Sequence, residues 1–215
     1  MLSTITSIIG QVVDSALSIV GIRSGTEEPA HTSRRLTDRV EIRTYGPRIA
    51  AETTVAAGEE AARNEGFRRL AGYIFGRNHR DDKIAMTAPV SQGIRGGSGD
   101  KIAMTAPVAQ ATQATDVGEG YVIKFFMPSE CTMATLPTPD DDRVRLTEVP
   151  GETVAVLSFT GDRGPAAVAL RSEELLETLR AKGIEVTGDV AAWFYDPPWT
   201  LPFRRRNEVV VPVNA

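Results

Sequence analysis

One cysteine and two histidines limit the covalent and metal chemistry open to this 215-residue chain. Cys131 has no partner for an intramolecular disulfide, and His31, His79 and Cys131 do not fall at the spacings that assemble a Cys/His zinc site. Neither histidine lies near Cys131 in sequence, so the thiol lacks a local base and reads as a small hydrophobe. Asp140, Asp141 and Asp142 are consecutive carboxylates whose side chains diverge, which describes a solvated acidic turn rather than a catalytic pair. No phosphate-binding glycine loop, metalloprotease helix or nucleophile elbow is present. The remaining groups are donors and cations of the kind that hold a ligand. His79 sits in FGRNHRDDKIAM beside Arg77, Arg80 and Lys83; Met86 and Met104 occupy equivalent places in a repeated segment; Arg204, Arg205 and Arg206 form the strongest basic run. The plainest expectation for that run is pairing with Asp140–Asp142 or exposure to solvent.

Composition narrows the class further. Lys and Arg total 24 against 28 Asp and Glu, a net charge of −4, which argues against a general nucleic-acid binder. With 41% hydrophobic and 24% charged residues the chain is of globular type, and a chain of this length buries roughly 70% of its unfolded surface. The lone cysteine favours a cytoplasmic setting.

The elements that must position these groups fall into a leader and two similar halves. Residues 1–22 carry Ile5, Ile8, Ile9, Val12, Val13, Ala16, Leu17 and Val20 on one helical face, predicting an amphipathic helix that docks on its own domain or touches a membrane surface or partner. Residues 23–37 read as a polar linker, and 38–215 as one domain. In the first half, strands are predicted at Val40–Ile42 and Ile49–Val55, a helix at about Gly58–Phe75, and a final strand at Tyr121–Met127. The second half repeats the order, with strands at Val144–Leu146 and Thr153–Phe159, a helix opened by Pro165 and closed by Gly183, and strands at Val190–Tyr195 and Glu208–Val213. Pro47 and Pro150, like Gly58 and Gly161, stand 103 residues apart, so the fold expected is α+β: a twisted antiparallel eight-stranded sheet or distorted barrel from two β-β-α-β-β repeats, with two flanking helices. A cleft is expected between the halves. Trp199, Leu201 and Phe203, spaced by prolines, are expected to seal the sheet.

The most specific signal is an identical octamer, KIAMTAPV, at Lys83–Val90 and again at Lys101–Val108. Pro89 and Pro107 cannot donate to a ladder and mark strand ends. Together with GFRRLAGYIFGRN (66–78), FFMPSE (125–130), LPTPDDDRVRL (136–146) and YDPPWTLPFRRRNEV (195–209), the octamer resembles the SOUL family of haem-binding proteins, from about Arg39 to Val213, and its doubling is similar to bacterial members.

That resemblance implies a monomeric or weakly associating domain that binds haem b non-covalently and reversibly, for transport, buffering or scavenging. Haem needs an apolar slot, cations near the propionates and optionally an axial side chain. His79 is the first candidate for iron, with Met86 and Met104 as alternatives; Arg77, Arg80 and Lys83 are candidates for the propionates. Met127, Met133, Tyr73 and Tyr195 are further possible ligands. An enzyme is not expected, beyond weak peroxidase-like activity that haem itself would supply. The rival readings are a small-molecule module of the same fold and a protein-interaction module.

Overall fold

The computed structural model describes residues 27–80, 83–85, 87–94, 120–196 and 199–215. The leader helix, Met86 and the whole second octamer, Met104 included, lie outside the described residues. In chain order the elements are β1 His31–Arg35, β2 Val40–Tyr45, β3 Arg48–Val55, α1 Glu59–Ile74, β4 Val90–Ile94, β5 Tyr121–Phe126, β6 Arg145–Val149, β7 Glu152–Phe159, α2 Pro165–Ala181, β8 Glu185–Val186, β9 Ala191–Phe194 and β10 Asn207–Asn214.

The strands form one curled antiparallel sheet in the order β1-β2-β7-β10-β9-β4-β5-β3-β6, with β8 paired to β10 off this path. The eight strands expected from the duplication are all present, and β1 and β8 are additions. His31–Arg35, expected within a linker, is the edge strand β1, fully exposed and held by its ladder to β2. Exchanging each strand for its duplicated counterpart (β2 for β6, β3 for β7, β4 for β9, β5 for β10) reverses the order of those eight. The sheet therefore has a pseudo-twofold axis between β4 and β9. The first strand of each half pairs with the second strand of the other half: β2 with β7, and β6 with β3.

Both helices cover the same face of the sheet. Leu70, Tyr73 and Ile74 of α1 pack on Ala51, Ile123 and Phe125, and Leu175 and Leu179 of α2 on Leu157, Val209 and Val211. Each fully buried leucine among them contributes roughly 1.5–3 kcal/mol. Helix α1 approaches the sheet so closely that a Cβ at Gly66 would lie 2.7 Å from Ile123 Cγ1. Helix α2 has the ends expected of it, with Pro165 in its first turn, Arg180 in its last, and Gly183 at φ +68° just beyond.

The face away from the helices is filled from within, so the cleft expected between the halves does not open there. Arg48 lies between the rings of Tyr45 (4.3 Å) and Phe126 (4.5 Å), Trp193 packs edge-on against both rings, and Glu152 pairs with the Arg48 guanidinium. Beside it Glu208, fully buried, receives both terminal nitrogens of Arg43 at 2.8 Å, the Tyr195 hydroxyl at 2.6 Å, Arg206 Nε at 2.9 Å and Ser158 Oγ at 3.1 Å. Burial alone would push the Glu208 carboxyl up, but the hydrogen bonds and charge of Arg43, then Arg206 and Tyr195, hold it below its usual value. The alternating polar residues of β2 and β10 thus serve a closed polar core on a sheet whose curvature excludes water from that face.

Two further expectations are corrected. Trp199, Leu201 and Phe203 do not seal the sheet; they are 63%, 39% and 67% exposed. Of the two alternatives for the arginine run, Arg204 is exposed to solvent, whereas Arg206 pairs with Glu28 and Glu208 and Asp141 with Arg143.

Candidate functional site

The end of α1 feeds a loop that is stitched to the segment between β5 and β6. Gly76, at φ +109°, turns the chain out of the helix, a conformation glycine adopts without steric cost. Asn78 then donates to the Tyr73 carbonyl at 3.2 Å and accepts from the Arg80 amide. His79 N donates to the Thr138 carbonyl (3.0 Å), Asp140 N to the Arg77 carbonyl (3.3 Å), and Ile84 N back to the Ile74 carbonyl (2.8 Å). The Tyr73 hydroxyl donates to the Pro137 carbonyl at 2.9 Å, and the Arg80 guanidinium to the Thr135 carbonyl at 3.1 Å. These bonds tie up main-chain groups that neither loop could satisfy alone.

A groove opens on each flank of this seam. One, about 260 Å³, runs along α1 past Arg68, Arg69, Tyr73 and Arg77 to Asp140 and Arg143. The other, about 380 Å³, is walled by Ile84, Ala85, Pro128, Leu136 and Pro137, with Lys83, Glu130, Cys131 and Thr135 around it. The first is lined by charged side chains that are mostly self-neutralised, since Glu65 pairs with Arg68 and Arg69, and Asp141 with Arg143. Arg77 makes no ion pair among the described residues. The second has apolar side chains in its walls, exposes slightly more polar than apolar surface, and is within the size of small-molecule sites.

The four predicted residues that are described are all on one loop, but they do not converge on one point. Arg77 lines the first groove and Lys83 the second. His79 lines neither; it is 67% exposed, with Nε2 3.7 Å from Asp140 Oδ1. Arg80 is spent on the Thr135 carbonyl. Tyr73 and Tyr195 are buried and hydrogen-bonded within the fold, and burial pushes the Tyr73 hydroxyl up to about 12. Met127 is in the core beneath α1, and Met133 is 42% exposed.

Sequence reasoning missed Pro128, Cys131 and Leu136 as groove residues, because they come from a stretch without periodicity. Its signal was the proline spacing in MPSECTMATLPTP, which marks a loop built of turns, with Cys131 N bonded to the Pro128 carbonyl and Leu136 N to the Thr132 carbonyl. Burial, then Glu130 and Glu27, push the Cys131 thiol up, so it stays protonated as the sequence reading expected of an unreactive cysteine. Among the described residues no cluster of three or more His, Cys, Asp or Glu is placed to hold a metal ion by itself, and no helix is long and apolar enough to cross a membrane.

The octamer is seated by its first copy. Thr87 Oγ1 donates to the Phe126 carbonyl, Ala88 N to the Glu27 carbonyl at 3.0 Å, and Pro89 precedes β4, which starts at Val90. Lys83, Ile84 and Ala85 of the same copy form one wall of the second groove.

With this geometry, the sequence model of the SOUL heme-binding protein family matches residues 26–98 and 92–212. The chain belongs to that family. It is 31% identical over 173 residues to Heme-binding protein 2 of Mus musculus, covering 79% of this chain and 75% of that one. It is 33% identical over 140 residues to Heme-binding protein 2 of Homo sapiens, covering 65% and 58%. The two family matches overlap only at 92–98, between the octamers, so each takes in one copy. Among solved structures the chain is similar in fold to the C-terminal domain of EcmrR (TM-score 0.58, 9% identity, 82% of this chain and 97% of that one). It is similar also to an uncharacterized conserved protein from Listeria innocua (TM-score 0.53, 12% identity, 82% and 92%). SOUL proteins are a binding family and not an enzyme family.

Proposed function

We propose that this chain binds haem b non-covalently in the groove beside the first octamer, and releases it readily enough to transport, buffer or scavenge it. The observation that carries this reading is the groove itself: an open apolar wall of Ile84, Ala85, Pro128, Leu136 and Pro137 with a cation, Lys83, at its edge. Its residues fit the group, since a porphyrin demands apolar contact over its faces and cations for its carboxylates. Lys83 would hold a propionate, whereas Arg77 lines the other groove. His79, on the same loop but outside the lining of the groove, is the proposed axial side chain, with Met86, next in sequence to the groove residue Ala85, and its repeat Met104 as the thioether alternatives. When bound, haem supplies the redox and ligand-binding chemistry of its iron. The filled opposite face supports reversibility, because the protein cannot enclose the macrocycle there.

Haem titration followed in the Soret band tests the site. The wild type is expected to saturate at one equivalent. Ala85→Trp, which fills the groove from an exposed position, should abolish saturation without lowering the melting temperature; unchanged affinity would overturn the assignment. His79→Ala should shift the Soret maximum, and an unaltered spectrum would transfer ligation to the methionines.

A further inference from the structure

The repeat around the octamer is longer than the octamer itself. Asp82–Gln92 reads DKIAMTAPVSQ and Asp100–Gln110 reads DKIAMTAPVAQ, so ten of eleven positions are identical. The first copy occupies a seat made by other parts of the chain. Ile84 N donates to the Ile74 carbonyl (2.8 Å), Thr87 Oγ1 to the Phe126 carbonyl, Ala88 N to the Glu27 carbonyl (3.0 Å) and Gln92 Nε2 to the Glu59 carbonyl (2.8 Å). Ala88 is buried in the cluster that holds Tyr45, Phe126 and Trp193, and β4 runs on from Val90 between β5 and β9. Every donor in that set has a counterpart in the second copy, at Ile102, Thr105, Ala106 and Gln110, although that copy lies outside the described residues. The unlike positions also fit. Ala109 for Ser91 removes a hydroxyl from a buried place, and a Cβ at Gly93, as Ala111 would bring, lies an ordinary 3.7 Å from that of Ala191. Thr112 for Ile94 keeps a β-branched residue in the strand.

Chain length does not choose between the copies. Seating the second would lengthen the stretch between Ile74 and the seated isoleucine from nine residues (75–83) to 27 (75–101). It would also shorten the β4 to β5 connection from 26 residues (95–120) to eight (113–120). Through loop-closure entropy each change shifts the balance about fivefold, in opposite directions. We propose that the two octamers compete for this one seat, so that the chain has two folded forms offset by 18 residues and populated within about tenfold of each other. Because β4 is paired on both sides, the forms interconvert only when that strand unfolds locally. The first form has two residues (81–82) between Arg80 and the groove wall at Lys83, and the second has twenty (81–100) before Lys101. The exchange thus sets how closely the His79 loop is tethered to that wall, and haem plays no part in it.

Carboxylates placed at Ala88 and Ala106 in the full, haem-free chain test the competition, since a buried unpaired charge expels the copy that carries it. Ala88→Asp alone and Ala106→Asp alone should each lower the thermal midpoint by less than about 5 °C, because the other copy fills the seat. The two together should lower it by more than about 10 °C. Ala88→Asp in a chain lacking residues 91–108, which has no spare copy, should fall as far as the double variant. Backbone hydrogen exchange read by mass spectrometry reports which copy is seated. Segment 90–94 should be protected in Ala106→Asp, 108–112 in Ala88→Asp, and both in part in the wild type. An Ala88→Asp variant as unstable as the double variant would overturn the proposal, as would protection that stays at 90–94 in that variant. So would a rescue found only in dimers by light scattering, in which a second molecule supplies the segment. Every arm is read without haem, so this outcome and that of the groove are separate.

Discussion

The two halves share a plan and differ in what it carries. Val122 pairs with Thr54 in the first half as Glu208 pairs with Ser158 in the second, and both Thr54 and Ser158 are the seventh residue of their strands. One half thus has an aliphatic side chain where the other buries a carboxylate under two arginines and a tyrosine. The helices differ in the same sense. Leu70 and Ile74 correspond to Leu175 and Leu179, 105 residues on, which places Arg171 opposite Gly66: α1 lies close on its strands through a glycine, while at the matching place α2 carries a partly exposed arginine paired with Glu174. Beyond α1, 15 residues (75–89) lead to β4 and frame both grooves; beyond α2, a positive-φ glycine and the two-residue β8 bring the chain to β9 in nine (182–190). Duplication has left one copy to secure the sheet and the other to offer a surface.

Glu208→Gln should strike the securing copy hardest. It leaves Arg43 and Arg206 facing a neutral amide inside the fold, at a cost of about 3–5 kcal/mol in urea denaturation. A loss under about 1 kcal/mol would mean that the polar cluster does not distinguish the halves. Acid should act on the same group. Its carboxyl titrates lower in the folded chain than in the unfolded one, so its contribution is complete above the unfolded value of about 4.3 and is lost as pH falls through the folded value. Urea midpoints measured downward from about pH 5 should fall in the wild type and flatten in Glu208→Gln.

Gly66→Ala is expected to cost about 1–3 kcal/mol through its clash with Ile123, less up to about 1 kcal/mol of gained helix propensity. At the matching place in α2, Arg171→Ala should cost less than about 1 kcal/mol, because its pair with Glu174 is a half-exposed i,i+3 contact. Equal costs would erase the difference in helix approach. The smallest effect belongs to excision of residues 91–108, which joins Val90 to Ala109 and leaves one octamer. Gln110 then stands where Gln92 donates to the Glu59 carbonyl, and Ala111 replaces Gly93, where an added Cβ would lie an ordinary 3.7 Å from that of Ala191. Shortening the β4 to β5 connection from 26 to 8 residues favours closure by about 1 kcal/mol, so stability should stay within about 1 kcal/mol of the wild type by denaturation.

Much of this was legible in the residues, and the failures share a cause. Pro165, Gly183 and the leucine stripe of α2 encode a helix locally, and the matched order of elements revealed the duplication. Periodicity shows that a strand exists without showing its neighbour, so the exchange of β2 and β6 between halves had no sequence signal. Glu41, Arg43 and Tyr45 alternate with Val40 and Ile42 as a solvent face would, yet curvature of the sheet buries Arg43 and Tyr45. HTSRR carries no apolar pattern at all, because β1 is held by its backbone ladder to β2 and by the His31 ring against Tyr45. At the groove, the basic loop around His79 was visible from its residue types, whereas the opposing wall comes from an aperiodic segment that only folding brings near.

The crossed pairing of β2 with β7 and β6 with β3 makes each half the keeper of a strand the other needs. Cut between β5 and β6, neither fragment would possess a complete sheet of its own, and the two pieces would have to find each other before either could fold. A chain of half this length could reach the same architecture only as an intertwined pair, with its opening strand lent to a sister molecule. The covalent joint between the halves converts that second-order encounter into a first-order one, and frees each copy to diverge without losing its partner.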